Sequence, residues 1–160
     1  MDGWRDFYLA QVGASAALGG LVFVGVSINL DKIMASPHLP NRALESLMLL
    51  LAILTLASLA LVPALPPRGF GAEALGVGIV AWAAASILHR RNLTMVEAQF
   101  RGPARTAAAI GQAVTLLLAG SGLVALLGFA PGAYGVVAAL MLGYLLVFIH
   151  AWVLLVEINR

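Results

Sequence analysis

Twenty-four consecutive residues, Phe7 to Leu30, carry no charged side chain; they read FYLAQVGASAALGGLVFVGVSINL. As a helix this run extends ~36 Å, more than the ~30 Å of hydrocarbon in a bilayer. Its middle is built from Gly13, Ala14, Ser15, Ala16, Ala17, Gly19 and Gly20, so its backbone can come close to another helix. Four further apolar runs follow, at about 43–65, 72–89, 106–129 and 134–156, separated by charged, proline and glycine residues. The expected fold is an all-α membrane protein, a bundle of five transmembrane helices forming one domain over residues 1–160.

Composition supports that reading. Hydrophobic residues make up 62% of the chain, charged residues 10%, and the mean hydropathy is +1.00. A water-exposed domain needs more charge than this to cover its surface. The basic residues stand between the apolar runs, so the pI near 9.5 reflects topology and no nucleic-acid partner is expected. Five spans place Arg5 and Arg68 on one side of the membrane. Lys32, Arg42, Arg90, Arg91, Arg101, Arg105 and Arg160 fall on the other. The excess of basic residues predicts a cytoplasmic C-terminus and an outside N-terminus. The first ten residues lack a basic start and a cleavage site, so Phe7–Leu30 is expected to be a retained span.

Polar residues inside the spans carry the functional signal, because lipid penalises them. In the first span Gln11, Ser15, Leu18, Val22, Gly25 and Asn29 follow 4-3-4-3-4 spacing, a seam with polar ends and an apolar centre. Such a seam suits a pore with a dry constriction at Leu18 and Val22, or a contact between helices in which Gln11, Ser15 and Asn29 find hydrogen-bond partners. The candidate packing residues are Gly13, Ala17, Gly19 and Gly20. In the last span Gly143, His150 and Glu157 recur at intervals of seven on one face. His150 is a candidate proton or ligand site with Glu157, or a neutral imidazole held by a neighbouring hydroxyl or carbonyl. Glu45, close to Arg42, reads as a headgroup-level carboxylate. His89, beside Arg90 and Arg91, reads as interfacial, roughly six residues shallower than His150.

The connection RRNLTMVEAQFRGPAR, Arg90 to Arg105, spaces Leu93, Val96 and Phe100 as a short amphipathic helix at the membrane surface. Its Arg90, Arg91, Arg101 and Arg105 are candidate lipid-headgroup contacts. Enzyme chemistry has no support. The chain has no cysteine, no HExxH, no phosphate-cradling glycine loop, and no Ser/His/Asp set at one depth. The depth offset of His89 and His150, ~9 Å, argues against a shared haem. No cofactor and no metal is expected.

Asp6-Phe7-Tyr8 followed by VGASAALGGLVFVGVSINL, Val12 to Leu30, resembles the opening of uncharacterised small polytopic bacterial membrane proteins. The likeness extends to the proline-rich end of the second span, over residues 6–66, and implies a bacterial plasma (inner) membrane location. Ser15-Ala16 through Asn29-Leu30-Asp31 is also similar to the pore helix of Orai-type calcium channels. It departs at Ser27, where an acidic filter residue would stand, and calcium selectivity is not implied.

These readings converge on a homo-oligomeric integral membrane protein in contact with lipid. The leading expectation is an ion channel or passive permeation pathway lined by the first span. The alternative is a non-transporting helper or modulator subunit of another membrane complex, docked through the small-residue face.

Overall fold

The computed structural model describes residues 2–36, 39–95 and 101–156. They form an all-helical chain: a 3-10 turn at Asp2–Trp4, then α1 (Arg5–Ile28), α2 (Leu30–Met34), α3 (Leu39–Leu59), α4 (Pro67–Met95), α5 (Arg101–Leu126) and α6 (Pro131–Leu155). All but the short α2 are long and apolar enough to cross a membrane, which makes this a multi-pass membrane protein.

The helix ends follow local chemistry. At Asn29 the side-chain amide donates to the Gly25 carbonyl (3.0 Å), and the chain turns into α2. The second span, expected to reach Leu65, stops as a helix at Leu59. Pro63, Pro66 and Pro67 lack the backbone donors a further turn would need, and Ala64 takes a left-handed φ of 57° in the turn between them. α5 closes in a Schellman arrangement: Phe129 N–H donates to Val124 C=O (3.1 Å) and Gly128 N–H to Ala125 C=O (3.0 Å). Gly128, at φ 92°, supplies the conformation this requires, and Pro131 then opens α6.

α4, α5 and α6 pack closely because glycine removes the side chains between them. A Cβ on Gly78 would stand 2.6 Å from the Ala119 nitrogen, and Gly71, Gly122 and Gly132 likewise face backbone of the neighbouring helix. α1 lies mainly against α3 and meets α6. At one end of the bundle, rings from the 3-10 turn, α1, α4 and α6 interlock: Tyr8 on Phe70 (5.6 Å) and Trp4 on Tyr134 (5.4 Å). In the middle, Val22, Leu49, Leu50, Leu146 and Val147 join α1, α3 and α6 in one apolar layer, flanked by Leu18 and Val26. Ile33, Leu39, Ala43 and Leu154 close the opposite end.

Two sequence expectations change here. A Cβ added at Gly13, Gly19 or Gly20 would meet nothing within 4 Å, and Ala17 is exposed, so within the chain these positions are not closely packed against another helix. They face outward because the seam of Gln11, Ser15 and Val22 occupies the other side of α1 and is buried against the bundle. The surface helix expected between Arg90 and Arg105 is replaced in part by the ends of its neighbours. α4 continues through Met95 and α5 begins at Arg101, while residues 96–100 lie outside the described residues.

Candidate functional site

The most polar part of the interior lies where α3, α4, α5 and α6 meet, toward the Asn41 and Asn92 end. Glu45 and His89 are each only 6% exposed, and His89 Nε2 lies 2.8 Å from Glu45 Oε1. Close approach of the pair to α5 depends on Gly111. A Cβ there would stand 2.6 Å from Glu45 Oε1 and 2.8 Å from His89 Cε1.

Polar side chains of α4 and α5 surround this pair. Ser86 Oγ has the Trp82 carbonyl as its nearer acceptor, at 2.8 Å, and Gln112 Oε1 at 3.3 Å. Its oxygen then accepts from Gln112 Nε2 (3.0 Å), and the same Gln112 nitrogen lies 3.2 Å from His89 Nδ1. In this orientation of the Gln112 amide its nitrogen donates to His89 Nδ1, and the tautomer that matches it carries the imidazole proton on Nε2, facing Glu45. The chain of donors therefore ends on the carboxylate.

His150, 2% exposed, belongs to the same region. Its Nδ1 lies 3.2 Å from Ser46 Oγ, and Ser46 donates to the Arg42 carbonyl at 3.1 Å. The Ser46 proton being used, the hydroxyl accepts from His150 Nδ1–H. Glu45 and Ser46 are consecutive on α3, ~1.5 Å apart along its axis, so His89 and His150 approach α3 at one level. The six-residue depth offset expected from the sequence is not realised. α4 runs six residues past His89, which leaves the imidazole inside the helix pair instead of at the interface. Glu45, likewise, stands six residues inside α3 from Leu39.

A bridge closes the outer end of this cluster. Asn41 Nδ2 donates to Asn92 Oδ1 at 2.7 Å, linking α3 to α4 one turn beyond Glu45 and His89. Beneath the cluster, between α3 and α4, lies a slot lined by Glu45, Met48, Leu49, Ala81, Ala85 and Leu88, with room for about one water molecule.

A second polar group lies across the apolar layer. Tyr144 Oη donates to the Gln11 carbonyl (3.2 Å), as does Ser15 Oγ (2.6 Å). Gln11 Oε1 is buried and, among the described residues, has no hydrogen-bond partner. Gln11, Ser15 and Val22 are thus brought together inside the bundle, with Leu18 half-buried beside them. Asn29 stands apart at the end of α1. Arg90, Arg91 and Arg105 are exposed at the Asn92 end. The side chain of Arg101 and all of Glu157 lie outside the described residues.

Comparison with family models, curated proteins and solved structures gives no match.

Glu45 and His89 are the functional candidates that sequence reasoning missed. Glu45, three residues from Arg42, and His89, next to Arg90, both read as headgroup-level on that account. The available signal was Gly111-Gln112, a small residue and an amide at the corresponding depth of the next helix. Among the described residues, no group of three or more His, Asp or Glu is arranged to hold a metal ion.

Proposed function

We propose that this protein provides a passive proton pathway through the interior of its own five-helix bundle. The observation that carries the reading is the Glu45–His89 pair, two ionisable side chains held 2.8 Å apart inside membrane-spanning helices. Such groups are unfavourable in lipid and mark ion or proton routes. The Gln11–Ser15–Tyr144 group on the far side supplies a second polar station. The Val22–Leu49–Leu50–Leu146–Val147 layer between them is the dry constriction, where wetting controls flow. In this reading Leu18 and Val22 belong to the constriction, and the route runs between α1, α3 and α6, not along an axis between chains. In the orientation expected from the basic residues, the Glu45–His89 end faces the cytoplasm.

The test is proton entry into liposomes holding the purified protein, read by a trapped pH dye under a potassium diffusion potential. Glu45→Gln and His89→Gln are expected to remove most of the flux. Wild-type protein no faster than empty liposomes sinks the proposal.

One observation favours a second role, as a helper that docks on another membrane-embedded chain or on its own copies. Only 17% of the apolar stretch of α1 is buried, against 44% in α3, α5 and α6. The face left open carries Gly13, Ala17 and Gly20 with exposed Leu21 and Val24. Small residues of this kind favour close helix association in lipid. Co-purification of a partner or stable oligomer, lost on Gly20→Leu, tests it; a monomer in nanodiscs with no partner rules it out.

A further inference from the structure

We propose that the Asn41–Asn92 hydrogen bond is a gate: closed, it seals the Glu45–His89 pair from water at the ends of α3 and α4, and open, it lets water in between the two helices to reach the pair. The inference rests on the proton-pathway reading and names the contact that controls access to it.

Helix register places the bridge. Asn41 stands four residues before Glu45 on α3, and Asn92 three residues after His89 on α4, so the two amides lie ~6 Å and ~4.5 Å outward from the pair along their helices. Exposure changes sharply over that one turn. Asn41 and Asn92 are half-buried, and Arg90, Arg91 and Thr94 near them are exposed, whereas Glu45 and His89 are each 6% exposed. The 2.7 Å contact, Asn41 Nδ2 donating to Asn92 Oδ1, thus stands at the boundary between open helix ends and the buried pair. The α6 side of this end is closed differently. Ile33, Leu39, Ala43 and Leu154 join α2, α3 and α6 in an apolar plug, with Ile33 and Leu154 each 1% exposed. Parting those helices would bring apolar side chains into water, which is unfavourable. Parting Asn41 from Asn92 exchanges one neutral hydrogen bond for bonds to water, a small net change because both amides are already partly exposed. The asparagine seam is therefore the side that opens.

The chain contains no cysteine, so thiols introduced by Asn41→Cys and Asn92→Cys are its only ones. Cd2+, a soft ion, bridges two such thiolates as their protons pass to the buffer. Proton flux into liposomes is measured without Cd2+, with it, and after a chelator removes it. Water access is read separately in nanodiscs, as deuterium exchange of the His89 Cε1–H mapped by peptide mass spectrometry. His150, held by Ser46 on the α6 side of α3, is the internal reference.

Bridging the double variant is expected to remove most of the flux and to slow His89 exchange, the chelator restoring both, with neither single variant responding. Asn92→Ala, and the milder Asn41→Ser, should raise flux and His89 exchange by about two- to tenfold, the population change equivalent to the ~0.5–1.5 kcal/mol of a neutral hydrogen bond. His150 exchange should stay as it is in the wild type. Flux that survives bridging overturns the gate, and so do thiols that Cd2+ fails to shield from maleimide, since the two side chains then do not meet. Asparagine variants with unchanged His89 exchange, or with a rise matched at His150, overturn it as well. If wild-type liposomes carry no flux while His89 exchange still follows the bridge in both directions, the pathway reading falls and the gate stands as the control of water access to the pair.

Discussion

Replacing Gly111 by alanine adds one methyl group at the point where α5 touches the Glu45–His89 pair. That carbon would stand 2.6 Å from Glu45 Oε1, 2.8 Å from His89 Cε1 and 3.1 Å from His89 Nε2. Each is well inside ordinary carbon contact, so the carboxylate must move by about half an ångström or more, and the 2.8 Å hydrogen bond cannot keep its geometry. Loss of a hydrogen bond to a charged group costs ~1.5–3 kcal/mol. Alanine returns ~1 kcal/mol through its better helix propensity, for a net loss of ~0.5–2 kcal/mol. Gly120 is the control on the same helix: it is exposed, with nothing within 4 Å of an added Cβ. There only the gain of ~1 kcal/mol remains, so the two variants should differ by ~1.5–3 kcal/mol. Reversible unfolding in mixed micelles, followed by circular dichroism, measures the gap. Gly111→Ala as stable as Gly120→Ala would refute the claim that this glycine holds the pair together.

Four further outcomes are expected. Gly122→Ala brings a Cβ against the Ala74–Leu75 backbone, which has no rotamer to yield, and should lower stability in the same unfolding measurement by ~1–3 kcal/mol or more as α4 and α5 are forced apart. Gly19→Leu points into open space and should leave monomer stability within ~0.5 kcal/mol of wild type, while native mass spectrometry reports lost association if α1 is a docking face. Leu50→Ser puts a hydroxyl in the apolar layer and should raise proton flux into liposomes; unchanged flux would remove the layer as the barrier. Ser46→Ala leaves His150 Nδ1 without its acceptor, at a cost of ~1–3 kcal/mol, and nitrogen NMR of the ring should show altered tautomer populations.

The spans were legible because hydropathy records burial in lipid directly, and five long apolar helices result. Their ends were less so. Counting from the charged residues stopped the third span at His89, whereas α4 carries Arg90 and Arg91 on its exposed side and continues to Met95. That error hid the site: it put His89 at the headgroups and left Glu45 an arginine partner. Which helix lies beside which is not written in periodicity, so a contact across 44 positions could not be read off either residue. The small residues show the same gap. Gly13 and Gly78 look alike in the sequence, yet one faces open space and the other the Ala119 backbone. A stripe of glycine announces permission for close approach without naming the neighbour.

The spacing of Glu45 and His89 along the chain also has a consequence for biosynthesis. During synthesis α3 leaves the ribosome before α4, so Glu45 reaches the bilayer ahead of its imidazole partner. An unpaired carboxylate inside a span is unfavourable, a cost that neutralisation or a neighbour must offset until His89 arrives. α1 precedes α3 in the chain and packs along it in the finished bundle through Val22, Leu49 and Leu50. The first helix, the least buried of the five spans, is thus the neighbour available to α3 before α4 follows.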